Sequence, residues 1–237
     1  MYSHREKRRT IMSYYDTESP ESLEFQRLYS KLKHLVRDSL HQNLIVTSST
    51  MGEGKSTTSS LLAVTIARIQ QNKTLLIDFD LRNPKIHYLF DLKREHGVGE
   101  ILERKMQAKH CFKKTPFENL KVLTAGNLTL PYADVFNSAT LKRFFDEIHF
   151  YYNTIIIDTA PVIPVSDALI IGAEVNGVIF VVRAGRTRRD VAKRACNLMT
   201  DAGVNILGIV VNDVEGVLPF YYSYDYYGYN YSGEKGK

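Results

Sequence analysis

The chain has 237 residues, 44% of them hydrophobic, a size that fits one α/β domain with a buried core and excludes a second full domain. Its formal net charge of +5 favours anionic partners without selecting among them. A disulfide framework, a secreted protein and a membrane-spanning chain are excluded, because the two cysteines are far apart, no signal peptide is recognisable and no apolar run reaches the roughly 20 residues that span a bilayer.

An amphipathic helix is the first predicted element, within residues 19–40. Ser19 is suited to the N-cap and Pro20 to the first turn. The apolar face of this helix is formed by residues at helical spacing: Phe25, Leu28, Leu32 and Leu35. Residues 1–18, which contain the basic run HREKRR, are predicted to be a flexible arm.

The remainder of the chain alternates strand-like and helix-like segments. The predicted strands are NLIVTS, TLLIDFD, LKVLTA, NTIIIDT, NGVIFVVR and NILGIVVN. The helical segments between them are KSTTSSLLAVTIARIQ, SATLKRFFDEIH, SDALIIGA and TRRDVAKRACNLMTDA, with Thr187 and Asp190 as an N-cap pair for the last. Strands that are apolar on both faces and alternate with helices predict a doubly wound, mostly parallel sheet.

A phosphate-binding loop is predicted where the first strand meets its helix, at VTSSTMGEGKSTTSS. Gly52 and Gly54 allow the backbone N–H groups to approach phosphates, Lys55 reaches the β- and γ-phosphates, and Ser56 ligates Mg²⁺. Ser49 occupies the position of the first glycine in the usual pattern. The alternative is a glycine-rich turn with an incidental lysine.

Three aspartates end predicted strands. Asp78 and Asp80 point to the same side of TLLIDFD, and Asp158 ends NTIIIDT. The carboxyl ends of the strands are where open α/β sheets bind ligands. Carboxylates beside nucleotide phosphates hold Mg²⁺ and accept a proton from an incoming hydroxyl group. Solvated acids in a strand-end turn are the alternative.

These residues resemble the bacterial tyrosine kinase family, the cytoplasmic autokinases of capsular and exopolysaccharide assembly. The resemblance rests on SSTMGEGKST as Walker A, LLIDFDLR as Walker A′, IIIDTAP as Walker B, and a terminal cluster of seven tyrosines in a chain without tryptophan. It implies a P-loop NTPase fold that transfers the γ-phosphoryl group of ATP to tyrosines, on its own tail and on other proteins. The kinase domain would then span residues 19–216, with an oligomerisation helix at 19–40 and a flexible tail at 217–237.

The resemblance also implies roles for individual residues. Lys55, Asp78 and Asp80 are the expected catalytic residues, with Asp78 the first choice as base and Asp80 the second. Those expected to hold Mg²⁺ are Ser56, Asp80 and Asp158. Those expected to bind the nucleotide are Met51, Gly52, Glu53, Gly54, Lys55, Ser56, Thr57, Arg82 and Asn212. For Arg82 a surface salt bridge is the alternative, and for Asn212 a strand-end cap. The expected autophosphorylation sites are Tyr221, Tyr222, Tyr224, Tyr226, Tyr227, Tyr229 and Tyr231.

The partners implied by the family are a homo-oligomer such as a ring, a separate membrane adaptor of the polysaccharide co-polymerase type, a cognate phosphatase and exogenous protein substrates. A cytoplasmic protein recruited to the inner face of the plasma membrane is expected, with no specific nucleic acid. The family's E-x-x-R-x-x-R motif is altered, since Glu24 and Arg27 are followed by Ser30, and Lys31 lies about 100° further round the helix.

Two other functions remain open from the sequence. Chromosome-partitioning and septum-site ATPases share this fold as nucleotide-driven switches, but they carry a signature lysine where this chain has Thr50. A non-catalytic module could instead use its basic segments on membranes or nucleic acid. The basic residues near the last predicted helix are interpreted as a solvated face: Arg186, Arg188, Arg189, Lys193 and Arg194.

Overall fold

A seven-stranded sheet forms the centre of the molecule in the computed structural model, which describes residues 10–11, 19–36, 42–69 and 73–214. The strand order is β3-β4-β2-β5-β1-β6-β7. The strands are β1 (Gln42–Ser48), β2 (Thr74–Asp78), β3 (Lys113–Lys114), β4 (Leu120–Leu123), β5 (Thr154–Asp158), β6 (Gly177–Arg183) and β7 (Ile206–Asn212). All adjacent pairs are parallel except β3 with β4, so the predicted mostly parallel α/β sheet is confirmed.

Eight α-helices lie in the described part of the chain. They are α1 (Pro20–Leu35), α2 (Lys55–Ile69), α3 (Ile86–Leu89), α4 (Val98–Leu102), α5 (Tyr132–Val135), α6 (Ser138–His149), α7 (Asp167–Gly172) and α8 (Arg189–Asp201). No helix among these residues is both long and apolar enough to cross a membrane.

The two faces of the sheet build two hydrophobic cores. Successive residues of β1 illustrate this, since Ile45 packs in one core and its neighbours Leu44 and Val46 pack in the other. The first core contains side chains of α6, α7 and α8, and the second contains those of α1 and α2. Because both faces are covered, the central strands β2 and β5 are buried along their whole length.

The predicted N-terminal helix forms, with one change in its buried face. Ser19 is the N-cap and accepts a hydrogen bond from the Ser22 backbone N–H. Leu32 is buried as predicted, but Leu35 is 58% exposed and Tyr29 is buried in its place. A buried face that includes Leu35 and one that includes Tyr29 are both compatible with a 3.6-residue period. Packing against α2 decides which of the two is buried.

The beginning of α8 differs from the predicted cap. The N-cap residue is Arg188, without a side-chain cap, and Thr187 does not cap the helix. The Thr187 hydroxyl group donates a hydrogen bond to a Glu53 carboxylate oxygen at 2.6 Å instead. The Thr187–Asp190 N-cap pair was therefore a wrong prediction, because a long-range contact takes the hydroxyl group.

The region between β2 and β5 contains elements that the sequence pattern did not predict: α3, α4, α5 and the edge strand β3. Glu103, directly after α4, fixes one of its loops. One carboxylate oxygen accepts hydrogen bonds from the backbone N–H groups of Thr129 and Leu130 and from the Thr129 hydroxyl group, and the other pairs with Lys105. These bonds outweigh burial, and the pKa of Glu103 is lowered from 4.5 to about 2.

The predicted tail at 217–237 lies outside the described residues, as does most of the predicted arm at 1–18. Within that arm, Thr10 and Ile11 are described, and the Ile11 side chain is 1% exposed in the core formed with α1 and α2. The boundaries of the arm, the kinase domain and the tail remain predictions.

Candidate active site

The loop between β1 and α2 has the conformation that a phosphate-binding loop requires. Gly52 and Gly54 have φ values of +80° and +99°, in the region that favours glycine. Ser49, by contrast, is outside that region, so the backbone does not need the glycine of the usual pattern there. Its carbonyl group accepts a hydrogen bond from the Ile163 backbone N–H. The loop is therefore formed despite the one-residue departure in sequence.

The Glu53 side chain fixes the conformation of this loop through hydrogen bonds within the protein. Glu53 is only 1% exposed. Its carboxylate accepts hydrogen bonds from the Thr50 backbone N–H, the Thr50 hydroxyl group and the Thr187 hydroxyl group. The amide nitrogen of Asn212, at the end of β7, donates to the Glu53 carbonyl oxygen at 3.1 Å. The prediction of Glu53 as a nucleotide-binding residue stays a prediction, and its carboxylate here binds Thr50 of the loop and Thr187 after β6.

Lys55 joins the loop to the strand-end aspartates. Its Nζ lies 2.8 Å from Oδ2 of Asp80 and 3.8 Å from Oδ1 of Asp158. Asp78 is the register partner of Asp158 on the adjacent strand. The structure thus brings together the lysine and the three aspartates that the sequence analysis selected, and it buries all four.

Burial and mutual repulsion change the acidity of this group. Burial, followed by the nearby Asp158, raises the pKa of Asp78 well above its usual value. Burial likewise raises the pKa of Asp158 to about 6, although Lys55 opposes the shift. Burial acts to lower the pKa of Lys55, but Asp158 and Asp80 outweigh it and the pKa is raised. The site therefore holds like charges close together with one cation, an arrangement more typical of function than of stability.

The free oxygen atoms of the aspartates fit a hard cation. Among the described residues, both carboxylate oxygens of Asp158 and Oδ1 of Asp78 are buried without a hydrogen-bond partner, and Lys55 Nζ approaches Oδ1 of Asp158 only to 3.8 Å. Asp80 differs, because one oxygen accepts from Lys55 and the other from the Asn83 backbone N–H. Among the residues described, no three acidic, histidine or cysteine side chains converge on a metal position. Mg²⁺ commonly uses one or two carboxylates together with phosphate oxygens and water, so the residues present fit it.

Arg82 does not point to the phosphate loop. Its guanidinium group makes two hydrogen bonds to Asp167, at 2.9 and 3.2 Å, and stacks 3.9 Å above the ring centre of Tyr132. The Asp167 side chain is 5% exposed, so this pair is more than a solvated surface contact. Of the two roles considered for Arg82, nucleotide binding and a salt bridge, the geometry favours the salt bridge, although its acidic partner is buried.

The other predicted nucleotide ligands lie along the loop and at its rim. Met51 is 64% exposed at the tip, and Asn212 packs so closely that a Cβ at Gly54 would lie 1.9 Å from its Nδ2. The Ser56 hydroxyl group is 3.4 Å from Lys55 Nζ. The seven predicted phosphorylation sites lie outside the described residues.

Two contributors were missed by the sequence analysis. Thr187 was interpreted as a helix cap, and Arg186 as part of a solvated helix face, yet both contact the phosphate loop. The only signal for them in the sequence is their position directly after a strand, at the same edge of the sheet as Lys55.

Three comparisons place the chain among known proteins. A family model described as ParA, NUBPL iron-transfer P-loop NTPase, matches residues 39–220. The chain is 32% identical to the putative tyrosine-protein kinase CapB of Staphylococcus aureus over 92% of this chain and 97% of that protein. It is 30% identical to the tyrosine-protein kinase YwqD of Bacillus subtilis, over 93% and 92% of the two chains. The solved kinase domain of Escherichia coli tyrosine kinase ETK superimposes with a TM-score of 0.82 at 27% identity, covering 94% of this chain and 87% of that one.

Proposed function

We propose that this chain, which belongs to the ParA-type P-loop NTPases and among them to the bacterial tyrosine-protein kinases, is an autokinase. In the proposed reaction it uses Mg-ATP to phosphorylate its own C-terminal tyrosines. The observation that carries the proposal is Lys55 buried among Asp78, Asp80 and Asp158 beside the phosphate loop. A partitioning-type switch without kinase activity is less well supported, since CapB and YwqD, which are 32% and 30% identical to this chain, are named as a putative tyrosine-protein kinase and a tyrosine-protein kinase.

Each polar group has a distinct task in the proposed reaction. Lys55 leaves Asp80 and binds phosphate oxygens when nucleotide enters, because phosphate offers it a charge-assisted partner. Asp158 and Ser56 would hold Mg²⁺, which would supply charge neutralisation at the phosphates. In the described part of the chain, Asp78 has one oxygen without a hydrogen-bond partner, which favours it over Asp80 as the acceptor of the tyrosine proton. Its raised pKa makes it a stronger base than a solvated aspartate.

The substrate tyrosines are supplied by the tail of a neighbouring copy. Tyr221, the first of the cluster, is joined to the described domain by only a few residues after Val214. Tethering within an oligomer raises the effective concentration of the acceptor hydroxyl groups. Each added phosphate carries about −1.5 to −2 charges, so several would reverse the formal charge of the chain.

The wider role we propose is control of capsular or exopolysaccharide synthesis and export, through a separate membrane adaptor of the polysaccharide co-polymerase type. A cognate phosphatase and exogenous protein substrates complete this proposal, with recruitment to the inner face of the plasma membrane. On α1, Arg27 and Glu24 pair with each other at 2.6 Å, and both side chains are more than half exposed. They are therefore accessible to a neighbouring subunit, and Ser30 leaves that interface one charge short of the family motif.

A mixing experiment tests both the activity and its direction. Full-length protein with Lys55→Met, which keeps its tail, is incubated with Mg-ATP and a variant that keeps Lys55 but has phenylalanine at all seven tail tyrosines. Phosphotyrosine mapped by mass spectrometry is expected on the tail of the Lys55→Met protein only when the two are mixed. Wild-type protein that forms no phosphotyrosine would contradict the proposal, and labelling confined to unmixed wild type would contradict transfer between copies.

A further inference from the structure

The segment between β6 and α8 covers one side of the phosphate loop. A Cβ added at Gly52 would lie 3.3 Å from Nη1 and 3.5 Å from Nη2 of Arg186, so the guanidinium group lies against this glycine. Gly52 is at the exposed tip of the loop, and Arg186 is also exposed. The guanidinium group therefore reaches the loop from the solvent side, where a nucleotide has access.

Arg186 is held in this position by its neighbours. The Thr187 hydroxyl group donates to Glu53 at 2.6 Å and accepts from the Arg183 backbone N–H at 2.8 Å. Arg183 in turn pairs with Asp213, with its Nε 2.6 Å from the carboxylate. The two residues that flank this turn thus tie it to the phosphate loop and to the end of β7, which keeps the backbone at Arg186 close to the loop.

The guanidinium group of Arg186 has no carboxylate within ion-pair distance in the described ranges. Arg183 and Arg188 nearby both have one, Asp213 and Asp190 respectively. A cation that lies beside a phosphate-binding loop but has no acidic partner among the described residues is arranged for an anion. The planar guanidinium group matches the geometry of phosphate oxygens.

We propose that Arg186 is a further nucleotide-binding residue of this kinase, whose guanidinium group donates hydrogen bonds to phosphate oxygens of the nucleotide in the phosphate loop. It supplies a cation from within the same chain, beside a loop that has Thr50 at the position of the signature lysine found in partitioning ATPases. The inference rests on the proposed use of ATP. It also corrects the interpretation of Arg186 as one of a row of solvated basic residues.

Nucleotide affinity tests the inference directly. Binding of ADP with Mg²⁺ is measured by isothermal titration calorimetry for full-length wild type, Arg186→Gln, Arg186→Lys and the matched control Arg188→Gln, at three salt concentrations. Arg186→Gln is expected to weaken binding about 5- to 20-fold and to reduce its salt dependence, since one charge-assisted contact is lost. Arg186→Lys should recover part of the loss, and Arg188→Gln should match wild type.

Each remaining outcome has one meaning. Equal affinity of Arg186→Gln and Arg188→Gln overturns the inference and leaves the proposed function intact, provided that wild type binds and Lys55→Met does not. A loss of ADP affinity that is equally large in Arg186→Lys and independent of salt would indicate that Arg186 packs on the adenine base. That result also overturns the proposed phosphate contact. Absence of ADP binding by wild type would instead contradict the proposed function itself. Thermal unfolding of the nucleotide-free variants should be unchanged, which separates binding from folding.

Discussion

Asp158→Asn should stabilise the protein while abolishing its kinase activity. The folded-state pKa of Asp158 is about 6, compared with 3.8 for an ordinary aspartate, so ionising it costs about 3 kcal/mol of stability above pH 6. A buried amide without partners costs about 1–2 kcal/mol of this gain. The net expectation is about 1–2 kcal/mol of stabilisation at pH 8, or a melting temperature about 3–6 °C higher.

The pH dependence identifies the cause. Because the folded pKa lies above the unfolded one, wild type gains stability as the pH falls from about 7 towards 4, whereas the asparagine variant lacks this contribution. The variant's advantage should therefore disappear near pH 5. Thermal unfolding followed by circular dichroism, in buffer with a chelator and at pH 8 and pH 5, measures this. Asp146→Asn, an equal charge change at an exposed position of α6, is the control. The reasoning would be refuted by an advantage that is absent at pH 8 or equal at both pH values.

Three other substitutions test single contacts. Gly54→Ala should cost about 1–3 kcal/mol in urea denaturation, because φ is +99° and the new Cβ would overlap Asn212, whereas Gly208→Ala has open space and should change little. Glu103→Gln should lower the free energy of unfolding by about 1–2 kcal/mol at pH 7, because the carboxylate of Glu103 binds a loop. The pKa of Glu103 is about 2 in the folded protein and 4.5 in the unfolded chain. The difference in stability from wild type, measured by urea titration, should therefore narrow as the pH falls below 4.5. Lys55→Met should remove detectable ADP binding in calorimetry. It should also lower the free energy of unfolding by roughly 3 kcal/mol at pH 8, because the buried carboxylates lose their cation. Unchanged urea midpoints, or retained ADP binding, would contradict the respective contact.

The sheet and the central charges could be predicted from the sequence because they depend on local pattern. Each of the six predicted strands is a largely apolar run, and parallel strands end at one edge of the sheet. Asp78 and Asp158 follow from that rule, and Lys55 follows from the phosphate-loop motif after the first strand. The register that sets Asp78 opposite Asp158 was not predictable, although strand ends alone were enough to expect them close together.

The contacts around the loop could not be predicted because they depend on residues far apart in the chain. Thr187 looks like a cap until Glu53, 134 residues earlier, is available to accept its hydroxyl group. Arg82 has an acidic partner in Asp167, 85 residues later, that no local pattern indicates. Leu35 and Tyr29 are both compatible with one helical face, and only packing on α2 selects between them.

The position of β1 in the middle of the sheet also governs how the protein is made. Gln42 pairs with Thr154, and the other edge of β1 pairs with β6, so neither neighbour exists when β1 leaves the ribosome. At about 5–20 residues per second, β5 emerges roughly 5 to 20 s later. Throughout that interval an apolar strand has two open edges, a configuration prone to aggregation. The phosphate loop that follows it can take its final shape only once most of the domain has been synthesised.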